Sequence, residues 1–292
     1  MKQLTFFGKE INERVVNVAS VPHRSPFRYP GGKTWLVPRI RQWLGSKNRV
    51  PETLIEPFAG GGIIGLTAAF ERLADFVVLV ELDADVASVW NIILHGDTGW
   101  LIRRIADFEM TLENVREELN KSAVSTKERA FQTILKNRTY HGGILAPGSG
   151  LIKNGENGKG IKSRWYPETL CKRIANIVAV KERIKFIEAD GLDIMQENAG
   201  KPDTVYFIDP PYTAAGKKAG TRLYNHFNLD HERLFDVAQE LCGDFLMTYD
   251  NAGGVKDLAR KHGFATRAIA MKNTHHAKMT ELLIGRDLRW LL

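Results

Sequence analysis

Val205-Tyr206-Phe207-Ile208-Asp209-Pro210-Pro211-Tyr212 sets a run of apolar, β-prone residues ahead of an acid, two prolines and an aromatic ring. The apolar run reads as a buried strand. Pro210 has no N–H for a ladder and biases Asp209 away from helix, so the strand is expected to end there. Asp209, the Pro210 carbonyl and the Tyr212 ring then stand at the carboxyl end of a central strand. Ligands bind at that edge in open α/β sheets. A strand followed by nothing more than a stiff Pro-Pro turn would read the same way over this stretch, so the rest of the chain has to decide.

Upstream, Thr53-Leu54-Ile55-Glu56-Pro57 is a second strand that ends on an acid and a proline. It runs into Phe58-Ala59-Gly60-Gly61-Gly62-Ile63-Ile64-Gly65, and a helix is expected from there to about Arg72. Gly60, Gly62 and Gly65 satisfy G-x-G-x-x-G in strand-loop-helix context. Val77 to Val80 form the next strand, closed by Glu81, with Asp83 and Asp85 just beyond. An acid there is the expected acceptor for ribose hydroxyls, so the unit reads as a nucleoside-cofactor site. A dinucleotide and S-adenosylmethionine are both open on these residues, and close strand-helix packing is the structural alternative.

Ser25-Pro26-Phe27-Arg28-Tyr29-Pro30-Gly31-Gly32-Lys33-Thr34 is a glycine turn leading into apolar positions at helical spacing, Trp35, Leu36, Ile40 and Leu44. Gly-Lys-Thr suggests a P-loop, but Phe27 stands where that motif needs its first glycine. A lysine at a helix start still suits a carboxylate-bearing ligand.

Helical patterning runs from Asp83 to about Lys136. Asn137-Arg138-Thr139-Tyr140-His141-Gly142-Gly143 then opens a basic, glycine-rich region that holds Lys153, Lys159, Lys162, Arg164 and Trp165. Asn154-Gly155 and Asn157-Gly158 are turn dipeptides, and a β-hairpin or mobile loop is expected between Ile144 and Trp165. Cations interleaved with Tyr140, His141, Trp165 and Tyr166 suit a surface that tracks phosphates and inserts side chains between bases. A solvated loop is the plainer alternative. A helix from Pro167 to about Val180 returns the chain to a strand, Ile184 to Ile187, ending at Glu188-Ala189-Asp190. After Tyr212 comes a second cationic loop with Lys217 and Lys218, a helix from about Asp230 to Leu241, the strand Phe245 to Tyr249, a helix to Lys261, and strands near Phe264–Ala270 and Glu281–Ile284.

Strands alternating with helices point to a mostly parallel, doubly wound α/β sheet. With 292 residues, the chain suits one large domain or a domain with a substantial insertion. A net charge of +7 suits a polyanionic partner without proving one. Cys171 and Cys242 make no disulfide framework or metal spacing, and His275-His276 lacks a third ligand. No segment reaches the ~20 apolar residues of a membrane span, and Met1 to Glu10 does not read as a secretory signal. A reducing cytosol is the expected compartment.

Methyl transfer to an exocyclic amine would use these parts directly. The amine lone pair is delocalised into the ring, and two acceptors aimed at its N–H groups would localise it. Asp209 and the Pro210 carbonyl are the candidates, with Tyr212 stacking on an extruded base.

Phe27-Arg28-Tyr29-Pro30-Gly31-Gly32-Lys33, Glu56-Pro57-Phe58-Ala59-Gly60-Gly61-Gly62, Asn137-Arg138-Thr139 and Asp209-Pro210-Pro211-Tyr212, in this order, resemble the Dam-like DNA adenine-N6 methyltransferases of the D12 class, α-group. The resemblance runs from about Ser25 to Ile284. It implies a Rossmann-like methyltransferase sheet, S-adenosyl-L-methionine as cofactor, and double-stranded DNA as partner, with no metal. Residues 25–96 and 174–292 would form the catalytic domain, 97–173 a helical and β-hairpin target-recognition insertion, and 1–24 an N-terminal extension. Asp209, Pro210 and Tyr212 are then the catalytic candidates. Tyr29, Lys33, Glu56, Phe58, Gly60, Gly62, Glu81, Asp83, Asp190 and Asp209 are the cofactor candidates, with Asp83 rivalling Glu81 for the ribose. Arg138, Tyr140, His141, Lys153, Lys162, Arg164, Lys217 and Lys218 are the DNA candidates. A monomer or weak dimer in the cytoplasm, at the nucleoid of a bacterial or phage-infected cell and within a restriction-modification setting, completes the expectation.

The acceptor chemistry is shared with RNA adenine-N6 and DNA cytosine-N4 methylases, which stay open as alternatives. A nicotinamide-dependent oxidoreductase would use the glycines but leaves Asp209-Pro210-Pro211-Tyr212 without a purpose. A non-catalytic DNA-binding module would not need Asp209 or Tyr212.

Overall fold

Seven strands form one sheet in the order β3-β2-β1-β4-β5-β7-β6. They are β1 (Thr53–Glu56), β2 (Phe76–Glu81), β3 (Ile184–Glu188), β4 (Thr204–Ile208), β5 (Phe245–Asp250), β6 (Ala265–Lys272) and β7 (Lys278–Gly285). The computed structural model describes residues 20–28, 32–155, 158–211, 229–272 and 278–291. Strands β1 to β5 pair in parallel, whereas β7 runs antiparallel to both β5 and β6. This is the strand order of the Rossmann-like methyltransferase sheet.

The strand sequences explain why the sheet is covered on both faces. Side chains alternate across a strand, so an unbroken apolar run feeds two cores. Val205 and Phe207 join one core with Leu54, Leu79 and Leu246. Tyr206 and Ile208 join the other with Ile55, Val80 and Met247. The first core is closed by α1 (Val37–Gly45), α2 (Ile63–Glu71), α3 (Ala84–Leu94), α4 (Thr98–Asp107), α5 (Leu112–Asn120), α6 (Thr126–Thr139) and α7 (Pro167–Val178). The second is closed by α8 (Gly191–Glu197), α9 (His231–Glu240) and α10 (Gly253–Lys261).

Helix starts follow local chemistry. Asp83, Asp97, Asp190 and Asp230 each turn a side-chain oxygen onto a backbone N–H of the first turn, and Thr111 and Ser125 do the same. Helices α4 to α7 do not form a separate body. Leu101, Phe131, Ile134, Trp165 and Ile174 share one core with the sheet residues Leu54, Val77 and Leu79.

The strand order reverses between β1 and β4. That switch point opens a crevice at their carboxyl ends, the place where open α/β sheets bind ligands. Glu56 closes β1 and Asp209 follows β4, so the two motifs singled out in the sequence meet there. A groove of about 520 Å³ lies elsewhere, its lining including Thr53, Phe76, Ile184 and Thr204, the first residues of β1 to β4.

Candidate active site

The glycine loop between β1 and α2 is held from three sides. Gly60 and Gly62 adopt φ of 47° and 60°, the left-handed region where a side chain is strained. The Gly60 N–H donates to Glu81 Oε2 at 2.9 Å, while its carbonyl accepts from Trp90 Nε1 at 2.9 Å. A Cβ on Gly62 would lie 3.0 Å from the Trp90 ring. From beneath, the Gly65 N–H donates to Glu56 Oε2 at 2.7 Å. The loop is thus pre-shaped to bring its backbone close to a ligand.

Glu81 accepts the Asp83 N–H through Oε1 at 2.9 Å as well as the Gly60 N–H. Burial pushes its carboxyl up to about 7. Asp83, buried, spends Oδ1 on the Asp85 and Val86 N–H groups as the cap of α3. Asp190 stands just past β3 and caps α8 through the Leu192 N–H at 2.8 Å. Phe58 is half-buried at the start of the loop. Glu56, a cofactor candidate from the sequence, is 3% exposed and braces the loop through the Gly65 N–H. Burial pushes its carboxyl up to about 8.

A second cluster forms around Asp209. Thr248 Oγ1 donates to Asp209 Oδ1 at 2.7 Å, and Lys33 Nζ lies 2.9 Å from the same oxygen. Lys33 Nζ also lies 3.3 Å from Glu281 Oε1. Lys33 is 4% exposed, so the ammonium is held between two carboxylates away from water. The parallel register pairs Ile208 with Met247, which brings Asp209 beside Thr248. The antiparallel register pairs Asp250 with Glu281. Lys33 begins a short 3-10 turn ahead of α1. The carboxylates it meets are therefore this chain's own, not those of a ligand alone. Pro210 is buried beside Asp209. Tyr29, Tyr212, Lys217, Lys218, His275 and His276 lie outside the described residues.

Asn137-Arg138-Thr139 ends α6 as a clamp. Asn137 Oδ1 accepts the Arg28 N–H at 2.8 Å, and Asn137 Nδ2 donates to the carbonyls of Arg28 at 2.9 Å and Gly143 at 3.0 Å. Arg138 Nη2 donates to the Pro26 carbonyl at 2.5 Å. Both side chains are buried, and they hold the segment that leads to Lys33. Arg138 was expected on the DNA-facing surface and is instead 6% exposed, because its guanidinium satisfies a backbone carbonyl inside the fold.

Two further expectations for this region are corrected. Residues 144–165 form no hairpin among those described, only an isolated bridge between Tyr140 and Leu151 and a 3-10 segment, Gly160–Arg164. Gly148, Gly155, Gly158 and Gly160 all take positive φ, so the chain turns repeatedly and no extended pair develops. Trp165, read as a base-contacting aromatic, is buried edge-on against Phe108. His141, Lys153, Lys159, Lys162 and Tyr166 are exposed, and Tyr140 is half-buried. Arg164 is half-buried with Nη1 3.3 Å from the Tyr140 carbonyl.

Trp90, Thr248 and Glu281 were not singled out from the sequence. Each lies on an element whose local pattern is fully explained by packing, and nothing in the linear text marks its partner. Among the described residues no group of His, Cys, Asp and Glu side chains is arranged to hold a metal ion.

The chain was compared with known proteins. The model of the D12 class N6 adenine-specific DNA methyltransferases matches residues 29–275. The DNA N-6-adenine-methyltransferase of Escherichia phage P1 is 24% identical over 98% of this chain, which spans 37% of that protein's length. The DNA adenine methylase of Haemophilus influenzae is 27% identical over 75% of each chain. An rRNA methyltransferase from Streptomyces viridochromogenes superposes with a TM-score of 0.39 at 14% identity, covering 89% of this chain and 87% of the other.

Proposed function

The chain belongs to the D12 class of N6 adenine-specific DNA methyltransferases, and from that premise we propose that it transfers a methyl group from S-adenosyl-L-methionine to N6 of a specific adenine in double-stranded DNA. The observation that carries the reading is the anchored Asp209. Its Oδ1 is gripped by Lys33 and Thr248 at the switch point, beside a glycine loop pre-shaped for a nucleoside.

The residues fit the cofactor. Gly60 and Gly62 leave space where a Cβ would strain the loop or meet Trp90. Glu81 ends β2, where an acid accepts ribose hydroxyls, with Asp83 committed to capping α3. Asp190 and Phe58 line the neighbouring strand ends, and Glu56 supports the loop from below. When bound, S-adenosyl-L-methionine supplies an electrophilic methyl on a sulfonium.

Asp209 and the Pro210 carbonyl accept the two N–H groups of the adenine amine, which draws the nitrogen toward a tetrahedral form and localises its lone pair. The positive charge that develops on nitrogen is stabilised by the Asp209 carboxylate, an electrostatic role that needs no prior deprotonation. Lys33 and Thr248 fix the carboxylate so that this field is set before reaction. Extruding the base from the duplex costs a few kcal/mol, and Tyr212 is the proposed stacking partner. Residues 97–173 are the proposed target-recognition insertion, with His141, Lys153 and Lys162 exposed toward DNA.

The test is transfer of labelled methyl from S-adenosyl-L-methionine to duplex DNA, followed by nucleoside analysis. N6-methyladenine is expected. Label in N4-methylcytosine, or in RNA but not DNA, would overturn the reading. Modification-sensitive sequencing of DNA from expressing cells would then read the target sequence.

A further inference from the structure

Thr248 and Tyr249 are consecutive on β5, and each reaches a different part of the chain. Thr248 Oγ1 donates to Asp209 Oδ1 at 2.7 Å, just past the end of β4. Tyr249 Oη is hydrogen-bonded to His231 Nδ1 at 2.8 Å, at the first residue of α9. Side chains alternate across a strand, so the two neighbours reach their partners from opposite faces of the sheet. In sequence, the stretch between Asp209 and His231 carries Tyr212, Lys217 and Lys218.

Packing alone does not call for the Tyr249–His231 bond. Tyr249 is buried in the second core with Phe235 and Met247, its ring centroid 5.9 Å from that of Phe235. A phenylalanine would fill the same space, whereas a hydroxyl taken out of water costs free energy until it is hydrogen-bonded. Helix α9 does not need the bond for its cap either. Asp230 already accepts the Arg233 N–H at 3.0 Å. His231 is half-buried and lies edge-on to the Tyr249 ring, centroids 5.7 Å apart. The bond thus ties the start of α9 to the strand that also holds Asp209.

We propose that Tyr249 and His231 form a positioning pair for methyl transfer, through which β5 fixes the far end of the stretch that begins at Asp209 and holds Tyr212. The proposal rests on the DNA-methylation reading above, in which Tyr212 stacks on the extruded base, and adds a pair that acts through the chain around it. Order supplied before the base arrives is order that the base need not supply. The benefit falls on the step with the base extruded, and not on cofactor binding, which uses the glycine loop after β1.

The experiment compares the wild type with Tyr249→Phe, His231→Ala and the double variant, on a duplex whose target is first read by modification-sensitive sequencing. Tyr249→Phe keeps the ring and its packing, and circular dichroism checks that each variant folds. His231→Ala, at a half-buried helix start, carries the test alone if Tyr249→Phe does not fold. Each single variant should slow single-turnover methyl transfer by about tenfold, the worth of one hydrogen bond. Each should also lower the fluorescence of 2-aminopurine placed at the target adenine, with S-adenosyl-L-methionine affinity unchanged. The double variant should be no slower than either single one, because both changes remove the same bond. Losses that multiply in the double variant overturn the pair, and so does a lowered melting temperature with a wild-type rate. Cofactor affinity that falls along with the rate overturns it in favour of a general loosening of the fold. A wild type that transfers no methyl to duplex DNA overturns the DNA-methylation reading, and the pair with it.

Discussion

Lys33 Nζ stands 2.9 Å from Asp209 Oδ1, an ion pair that joins the glycine turn before α1 to the end of β4. The pair explains why two motifs far apart in the chain belong to one site. A carboxylate already held by an ammonium and the Thr248 hydroxyl does not have to reorganise when charge develops beside it.

Replacing Asp209 by Ala removes the acceptor and the carboxylate that Lys33 meets at 2.9 Å. The rate of methyl transfer is expected to fall by at least about 10²–10³-fold, the effect of deleting a preorganised electrostatic group. Duplex affinity should stay within a few-fold of wild type. Single-turnover methylation together with a binding titration checks both, and a variant with normal turnover would remove Asp209 from the mechanism.

Glu281 acts through Lys33, from which it is 3.3 Å away. Glu281→Gln keeps the shape and deletes the charge, so Lys33 bears more strongly on Asp209 and weakens its field at the amine. A loss of about tenfold in kcat, ~1.4 kcal/mol of barrier, is expected with little change in KM. A change confined to KM would show that Glu281 shapes binding instead.

Glu56 gives a pH signature. Burial raises its carboxyl from an ordinary 4.5 to about 8, so the folded chain holds this proton more tightly than the unfolded one. Below pH 4.5 both states are protonated and the group contributes nothing. Between about 4.5 and 8 unfolding releases the proton, and stability falls with rising pH by up to ~1.4 kcal/mol per unit. Above 8 the loss levels off. Glu81, raised to about 7, acts in the same direction over a narrower window. Urea melts of Glu56→Gln against wild type should therefore show a stability difference moving in the variant's favour as pH rises from 5 to 8. A difference independent of pH would mean that Glu56 is ionised throughout.

The loop glycines should differ in kind. Gly62→Ala places a side chain at φ 60° and 3.0 Å from Trp90, which should weaken cofactor binding while costing about 1–2 kcal/mol of stability. Gly65→Ala meets Leu79 at 2.5 Å and Glu56 Oε2 at 2.8 Å and should destabilise the fold itself more strongly. Thermal melts with and without S-adenosyl-L-methionine separate the two effects. Equal melting temperatures for both variants would contradict the packing.

The positions of the strands and most helices were legible because periodicity is local. Val205 to Ile208 had to be buried on both faces, and Pro210 had to end the strand. The stretch after Gly143, expected as a β-hairpin or a mobile loop, forms no hairpin among the described residues. Its Asn-Gly pairs signal turns, but four glycines at positive φ turn the chain too often for strands to pair. Arg138 and Trp165 were misplaced because charge and aromaticity predict exposure only on average. A carbonyl at Pro26 and an apolar neighbour at Phe108 drew both inside.

By itself, the sequence determined the α/β class, the glycine loop with its acid at the end of β2, and Asp209 at a strand end, since each follows from short-range sterics and spacing. Only the tertiary structure decided that Lys33, Thr248 and Glu281 converge on Asp209, that Glu56 and Trp90 hold the loop, and that Asn137 clamps the entering segment. Those contacts depend on parallel and antiparallel register across the sheet, and register is set by the packing of the whole core rather than by any one stretch of chain.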